Sequence, residues 1–460
     1  MSVPQQCDLL ICGATILDLQ SASGVLEDHA VAISADRIVA VGPTSSVRAA
    51  WTPTRMIDAT GMMLSPGFVD AHVHLSANLG AGRPYQPASG PGLFSGASRI
   101  VEIGDTMAKL MAIPVPDDVM RTVARTAFVA MVRSGITSVV DAGSSAHRGL
   151  IAAANDVGIR AAIGPTLGDT ALGSDGSLSQ RSDPAELIAG AREFLVEHHR
   201  PRALVKAMVS AADTISCSDE LLAQIGVLSG EFGSPTHVHS HISPASNRAH
   251  LDAYGERETD RLLRAGMLSE HCTLMHVGAL DDGDIEAFAA TGVTVNHNPL
   301  GNAMLGFGTA HHRTLRSLLD AHIPVVMGSD YTPSMCATPF DMIRAALAVH
   351  REVAAADNAI TLEEALQMAT NPANSVGRVG EVGRVAVGQL ADLVVVDVTG
   401  AHHTGNRHPI PNLALRARTS DIATVIINGT IVIDNHELGH LDEASIINEA
   451  NQALSHIAGR

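Results

Sequence analysis

Charge is sparse in this 460-residue chain, at 17% of residues, against 46% hydrophobic and only 3% aromatic. So much apolar material with so little charge excludes a disordered chain and points to a globular protein. Positive charge is the scarcer sign. Thirty Lys and Arg face 48 Asp and Glu, a net charge of -18 that repels phosphate backbones and anionic lipid, so nucleic-acid and membrane partners are not expected. Long apolar runs are also missing. Stretches such as residues 390–398 are short or broken by charge, and no basic region precedes a hydrophobic run near the start. A soluble, cytoplasmic, unexported protein is expected. The five cysteines form no CxxC pair and are odd in number, which argues against a disulfide framework and fits a reducing compartment.

Histidine is abundant by contrast, with 23 residues, several of them closing apolar runs. The first sixty residues alternate short apolar runs with turn residues, a β texture that returns late at 388–397 and 424–434, where Asn428-Gly429 signals a hairpin. Two terminal segments can thus pair into one small sheet domain, a β-sandwich, around an inserted central domain. The expected division is 1–63, 64–378 and 379–460, the last part ending in a helix.

The centre alternates continuous apolar runs with helical patterns, the mark of buried parallel strands joined by crossover helices. Strands are expected at 64–73, 137–141, 160–163, 203–208, 236–239, 272–276, 293–296 and 325–328. Eight such runs over about three hundred residues suggest an α/β fold of the (β/α)8 TIM-barrel type. Ser218 before an apolar helical run ending at Gly233, and the Thr361-x-x-Glu364 capping box, supply helix boundaries. The Gly-, Pro- and Ser-rich stretch 80–96, with Arg83 and Tyr85, and Met304-Leu-Gly-Phe-Gly308 are expected to wall a pocket.

His72-Val73-His74 closes the first strand, and period-two geometry points both imidazoles to one face. Taken alone, such a pair is a weak metal signal. Other strand ends repeat it: His237-Val-His-Ser-His241 at the fifth, His276 at the sixth, His297 at the seventh and Asp330 after the eighth. Active sites of such barrels gather at the carboxyl ends of the strands, where these residues would meet. A satisfied core histidine explains any one of them and explains the set poorly. The pairs His198-His199, His311-His312 and His402-His403 lie in polar or helical surroundings and read as solvated surface.

On Pro66-Gly-Phe-Val-Asp-Ala-His-Val-His74, the run Gly135-Ile-Thr-Ser-Val-Val-Asp-Ala-Gly143, Gly328-Ser-Asp330 and Asn371-Pro-Ala with Gly388-Gln-Leu-Ala-Asp392, the sequence resembles the amidohydrolase superfamily over nearly its whole length. The resemblance implies His72, His74, His239 and Asp330 as metal ligands. His276-Val-Gly-Ala-Leu and Asn296-His-Asn-Pro-Leu-Gly-Asn302 are similar to the branch of triazine hydrolases and adenosine-type deaminases, in which His276 would touch the metal's water. His241 and His297 are further candidates for proton transfer or substrate contact. Asp330 and His276 would carry proton transfer and stabilise the developing oxyanion.

Two departures matter. The branch places a proton-shuttling Glu three residues after its fifth-strand His, where this sequence has Ile242. Lys206 on the fourth strand matches the position of the carbamylated lysine that bridges two metals in binuclear relatives. The implied cofactor is a divalent ion, Zn2+ first, with Fe2+, Co2+ or Mn2+ as alternatives; one ion is expected, or two if Lys206 is carbamylated. Such an ion lowers the pKa of its water to about 7 and polarises a carbonyl. The expected function is hydrolysis of an amide, urea or carbamate-type C–N bond, or a related acyl bond, in a small molecule, since that attack does not need the missing Glu. The absent Glu is also similar to the state of phenylurea and thiocarbamate hydrolases. The alternative is hydrolytic deamination or dechlorination of a purine-, pyrimidine- or triazine-like ring. A non-catalytic binding protein on the same barrel fits less well, because every ligand is present. A homo-oligomer is expected for a soluble enzyme of this size.

Overall fold

The computed structural model describes residues 4–19, 24–76, 115–173, 175–200, 202–330, 338–373, 375–377, 381–405 and 408–458. The stretch 80–96 with Arg83 and Tyr85 lies outside the described residues. Eight parallel strands occupy the centre, in two quartets. Phe68–Val73, Ile136–Asp141, Arg160–Ile163 and Val205–Ala207 form one, each paired in register with the next. Thr236–Ser240, Cys272–His276, Thr294–His297 and Val325–Met327 form the other. Their apolar runs are buried along their length, as parallel strands covered on both faces require.

Backbone hydrogen bonds cross both seams between the quartets. Asp330 N donates to His72 O at 2.9 Å, and Asp213 bridges in parallel to His239. Helices fill the connections, with the expected caps in place. Ser218 accepts from Leu221 N at the start of Asp219–Phe232, which ends on left-handed Gly233, and Thr361 forms its capping box with Glu364. Among the described residues, no helix is long and apolar enough to cross a membrane.

The two chain ends do build one sheet, of nine strands. Gln5–Asp18 pairs with Met63–Pro66, Met63–Pro66 with Leu393–Val396, and that strand with Ile422–Ile427. The hairpin turn lies at Asn428-Gly429, where both residues have positive φ as a tight two-residue turn demands. The first central strand, expected as one element over 64–73, is two. Gly67 N bonds Asp392 O in the terminal sheet, while Phe68 N bonds Gly135 O in the parallel sheet. Gly67 can make this change because a Cβ there would collide with the Thr137 side chain.

One buried ion pair fastens the terminal sheet to the parallel strands. Arg160, on the third strand, donates to Asp392 at 2.6 and 2.9 Å and to Asn428 at 3.0 Å. Asp392 also accepts from Asn428 N at 2.7 Å. Arg160 and Asp392 are 1% and 3% exposed, so neither charge has water to fall back on.

Candidate metal centre

His72 and His74 leave the first strand on the same face, with ring centroids 5.0 Å apart. His239 from the fifth strand and His276 from the sixth close on His72 at 4.8 and 5.2 Å. Asp330 follows the eighth strand, and its Oδ1 lies 3.4 Å from Nε2 of both His72 and His74. One potential ligand atom from each of His72, His74 and His239 falls within 4.8 Å of the others, and the same holds for His72, His276 and Asp330. Residues from four strands, up to 258 positions apart (330 minus 72), thus meet at one end of the parallel sheets.

The rings are oriented from behind. His239 Nδ1 lies 2.6 Å from the Ala212 carbonyl, so it must carry the proton and leave Nε2 as the coordinating atom. His276 Nδ1 lies 2.8 Å from Asn302 Oδ1 and 3.2 Å from Asn298 Nδ2, two amides that hold the ring in place. Burial pulls the His72 pKa down to about 4, and holds His239 well below the usual imidazole value, so both are neutral lone-pair donors at pH 7. Burial would push the Asp330 carboxyl up, but the surrounding imidazoles of His276, His72 and His74 outweigh it and hold Asp330 well below the usual carboxylate range. His72 has no hydrogen-bond partner at either ring nitrogen among the described residues. A set of imidazole nitrogens and one carboxylate, with both His72 nitrogens lacking a partner among the described residues, suits a divalent cation of borderline softness.

The strand ends are also strained. His276 and Asp330 are non-glycine residues at φ of +72° and +53°, a region L residues rarely enter and one that concentrates at functional sites. A model of the amidohydrolase family matches residues 63–432, which hold every one of these residues. The chain belongs to the amidohydrolase family.

Curated relatives of this amidohydrolase include a 5-methylthioadenosine/S-adenosylhomocysteine deaminase of Syntrophobacter fumaroxidans, 28% identical and covering 94% of each chain. A 5'-deoxyadenosine deaminase of Methanosarcina mazei is 26% identical over 98% of this chain and 99% of its own. Among solved structures, an adenosine deaminase from Xanthomonas campestris with bound zinc superposes with a TM-score of 0.86 at 26% identity over the full length of both chains. An atrazine chlorohydrolase from Arthrobacter aurescens complexed with zinc shares the fold at a TM-score of 0.83 and 22% identity, over 97% of this chain and all of its own. Hydrolysis of C–N bonds by a metal-dependent enzyme is the activity class this family membership supports.

Three candidate residues have partners of their own. The fifth strand ends at Ser240, and left-handed His241 (φ +50°) turns its ring toward Thr259, 2.9 Å from Nε2, and onto Phe288. His297 shares its strand face with Val295, opposite Thr294 and Asn296, and meets His350 at 3.1 Å. Lys206 donates to the Gly377 carbonyl. Met304 stands exposed on the helix Pro299–Leu305, with Phe307 against His276 at 5.2 Å between ring centroids.

Other residues were passed over in the sequence. Asp70 accepts from Ser329 N at 2.9 Å, Ser329 Oγ at 2.6 Å and His72 N at 3.3 Å, tying the first strand to the residue beside Asp330. Asn302 sits at the end of the Asn296-to-Asn302 motif and was within reach of a reader who asked what orients His276. Gly301, next to it, packs against Asp330, where a Cβ would lie 2.5 Å from that of the aspartate. Replacing Asn302 by alanine is expected to weaken metal affinity about 10- to 100-fold while leaving the fold intact, measured by competition with a chromophoric chelator. An unchanged affinity would show that His276 is oriented by other contacts.

Proposed function

We propose that this protein hydrolyses an amide, urea or carbamate-type C–N bond, or a related acyl bond, of a small molecule with one divalent ion held by His72, His74, His239, His276 and Asp330. Zinc is the first choice, supported by the donor set and by the zinc-containing neighbours. The two quartets are read as one closed (β/α)8 barrel, supported by the bonds across both seams, with the terminal sheet as a separate domain from residues 1–66 and 379–460.

Bound there, the ion supplies a hydroxide equivalent at neutral pH and polarises the attacked carbonyl. Asp330, ionised and 3.4 Å from two ligand nitrogens, is the proton carrier: it takes the proton of the attacking water and passes it to the leaving nitrogen or other leaving group. His276, with Asn302 at its Nδ1, completes the ligand set and would help hold the ion facing the attacked carbonyl. Burial of His72, His74, His276 and Asp330 keeps bulk water from these groups, which strengthens their interactions.

The observation that carries the acyl reading is Ile242. Deamination of a heteroaromatic ring needs a ring nitrogen protonated, an aliphatic side chain cannot do it, and the neighbouring His241 faces Thr259 instead. The second reading, deamination of an aminopurine-like ring, draws on the curated relatives, whose names are those of adenosine-type deaminases. A panel of aryl ureas, carbamates and thiocarbamates run beside adenosine-type nucleosides separates them. Turnover of the carbonyl compounds is expected, and ammonia release from ring amines alone would reverse the order.

A further inference from the structure

A second cluster lies in the segment that returns the chain to the terminal sheet. His402 and His403 sit in the single turn Ala401–His403, with ring centroids 4.0 Å apart. Asp421 ends the turn Thr419–Asp421 and leads into the strand Ile422–Ile427. Expected as solvated surface, the pair is not. His403 and Asp421 are 3% and 7% exposed, and only His402 keeps a partly open side.

Hydrogen bonding alone does not account for this group. Asp421 Oδ2 lies 2.8 Å from His402 Nε2, 3.1 Å from His403 Nε2 and 2.8 Å from Arg418 N. A carboxylate oxygen offers about two lone-pair positions. The Arg418 amide, which always donates, takes one, and two imidazoles are left facing the other. His403 is further constrained, because its Nδ1 lies 2.6 Å from Asn412 Oδ1 and must carry a proton to satisfy it. Its Nε2 then either holds a second proton, making a buried imidazolium, or presents a lone pair to a carboxylate oxygen.

We propose that His402, His403 and Asp421 bind a divalent cation of the Zn2+ class, at a site separate from the His72 cluster. One cation uses a single lone pair of Asp421 Oδ2 and one from each ring, which resolves the crowding. Ligands about 2.0–2.1 Å from a tetrahedral ion stand roughly 3.3 Å from one another, close to the spacings observed. The Nδ1–H of His403 on a side-chain carbonyl is the outer contact that fixes a metal-binding tautomer. The open side of His402 leaves a fourth position for water. Neutral nitrogen is required of both rings, and an ionised carboxylate of Asp421. The cation pins the turn holding His402 and His403 to the root of Ile422–Ile427, where Asp397 N also bonds Asp421 O at 2.7 Å. Its role is to fasten the returning chain, and it takes no part in the reaction.

The test is metal content of the full chain reconstituted with Zn2+ and freed of excess ion, measured by mass spectrometry. Wild type is expected to hold one more equivalent than His403→Ala or Asp421→Asn, with kcat unchanged in the variants. His74→Ala should keep one equivalent that is lost when His403→Ala is added, so a failure of the catalytic site is distinguishable from a failure of this one. Chelator should lower the melting temperature of His74→Ala and leave that of the double variant unmoved. If His403→Ala does not fold, the half-exposed His402→Gln carries the same comparison. Equal metal content in wild type and these variants would overturn the proposal and leave a protonated His403 as the explanation.

Discussion

His74→Ala is expected to abolish catalysis together with metal at the His72 cluster. The side chain is removed from a set in which its Nε2 stands 3.4 Å from Asp330, and it is 7% exposed, so water does not replace it freely. Losing the ion forfeits several kcal/mol of transition-state stabilisation, about a thousandfold or more in kcat/KM. The checks are steady-state kinetics on the best substrate of the panel and metal analysis of the same preparation. Retained turnover with one fewer ion would detach chemistry from metal, and an unaltered ion count would remove His74 from the ligand set. The fold should survive, because the strand's backbone bonds to Ile136–Asp141 do not involve the imidazole.

The largest stability effect is expected from Arg160→Ala. It strands the Asp392 carboxylate, 3% exposed, beside a single backbone donor, Asn428 N. Breaking one partner of a buried pair costs about 3–5 kcal/mol, and a urea titration followed by far-UV circular dichroism measures it. The double variant Arg160→Met, Asp392→Leu should recover much of that loss, since two apolar groups need no partner. A loss below about 1 kcal/mol in the single variant would mean that water reaches the carboxylate.

What the sequence made legible follows from periodicity. His72, His74, His239, His276 and Asp330 each close an apolar run, and a parallel sheet brings the ends of such runs together whatever their separation in the chain. His241 would share the face of His239 only in a longer strand; it lies one residue past Ser240, at a φ of +50° that no local pattern announces. His297 meets His350 and lines one cavity with His276, and the motif around it also places Asn302 against His276. Lys206 reads as a strand-end residue, yet its ammonium answers to Gly377, 171 residues later, a tertiary contact beyond sequence reach. His403 and Asp421 were hidden for the same reason. Two adjacent histidines in a polar segment look solvated until the turn that buries them is known. The split at Gly67 needed the knowledge that Thr137 crosses there.

The pairing of Met63–Pro66 with Leu393–Val396 has a consequence for biosynthesis. Leu64 and Val395 are partners 331 residues apart (395 minus 64). At ribosomal rates of roughly 5–20 residues per second, the early strand waits on the order of 15–65 s with a bare edge before its mate is made. Throughout that interval an apolar ribbon is open to strand exchange with other nascent chains. Slower translation should therefore raise the yield of insoluble product, and co-expressed chaperones should lower it.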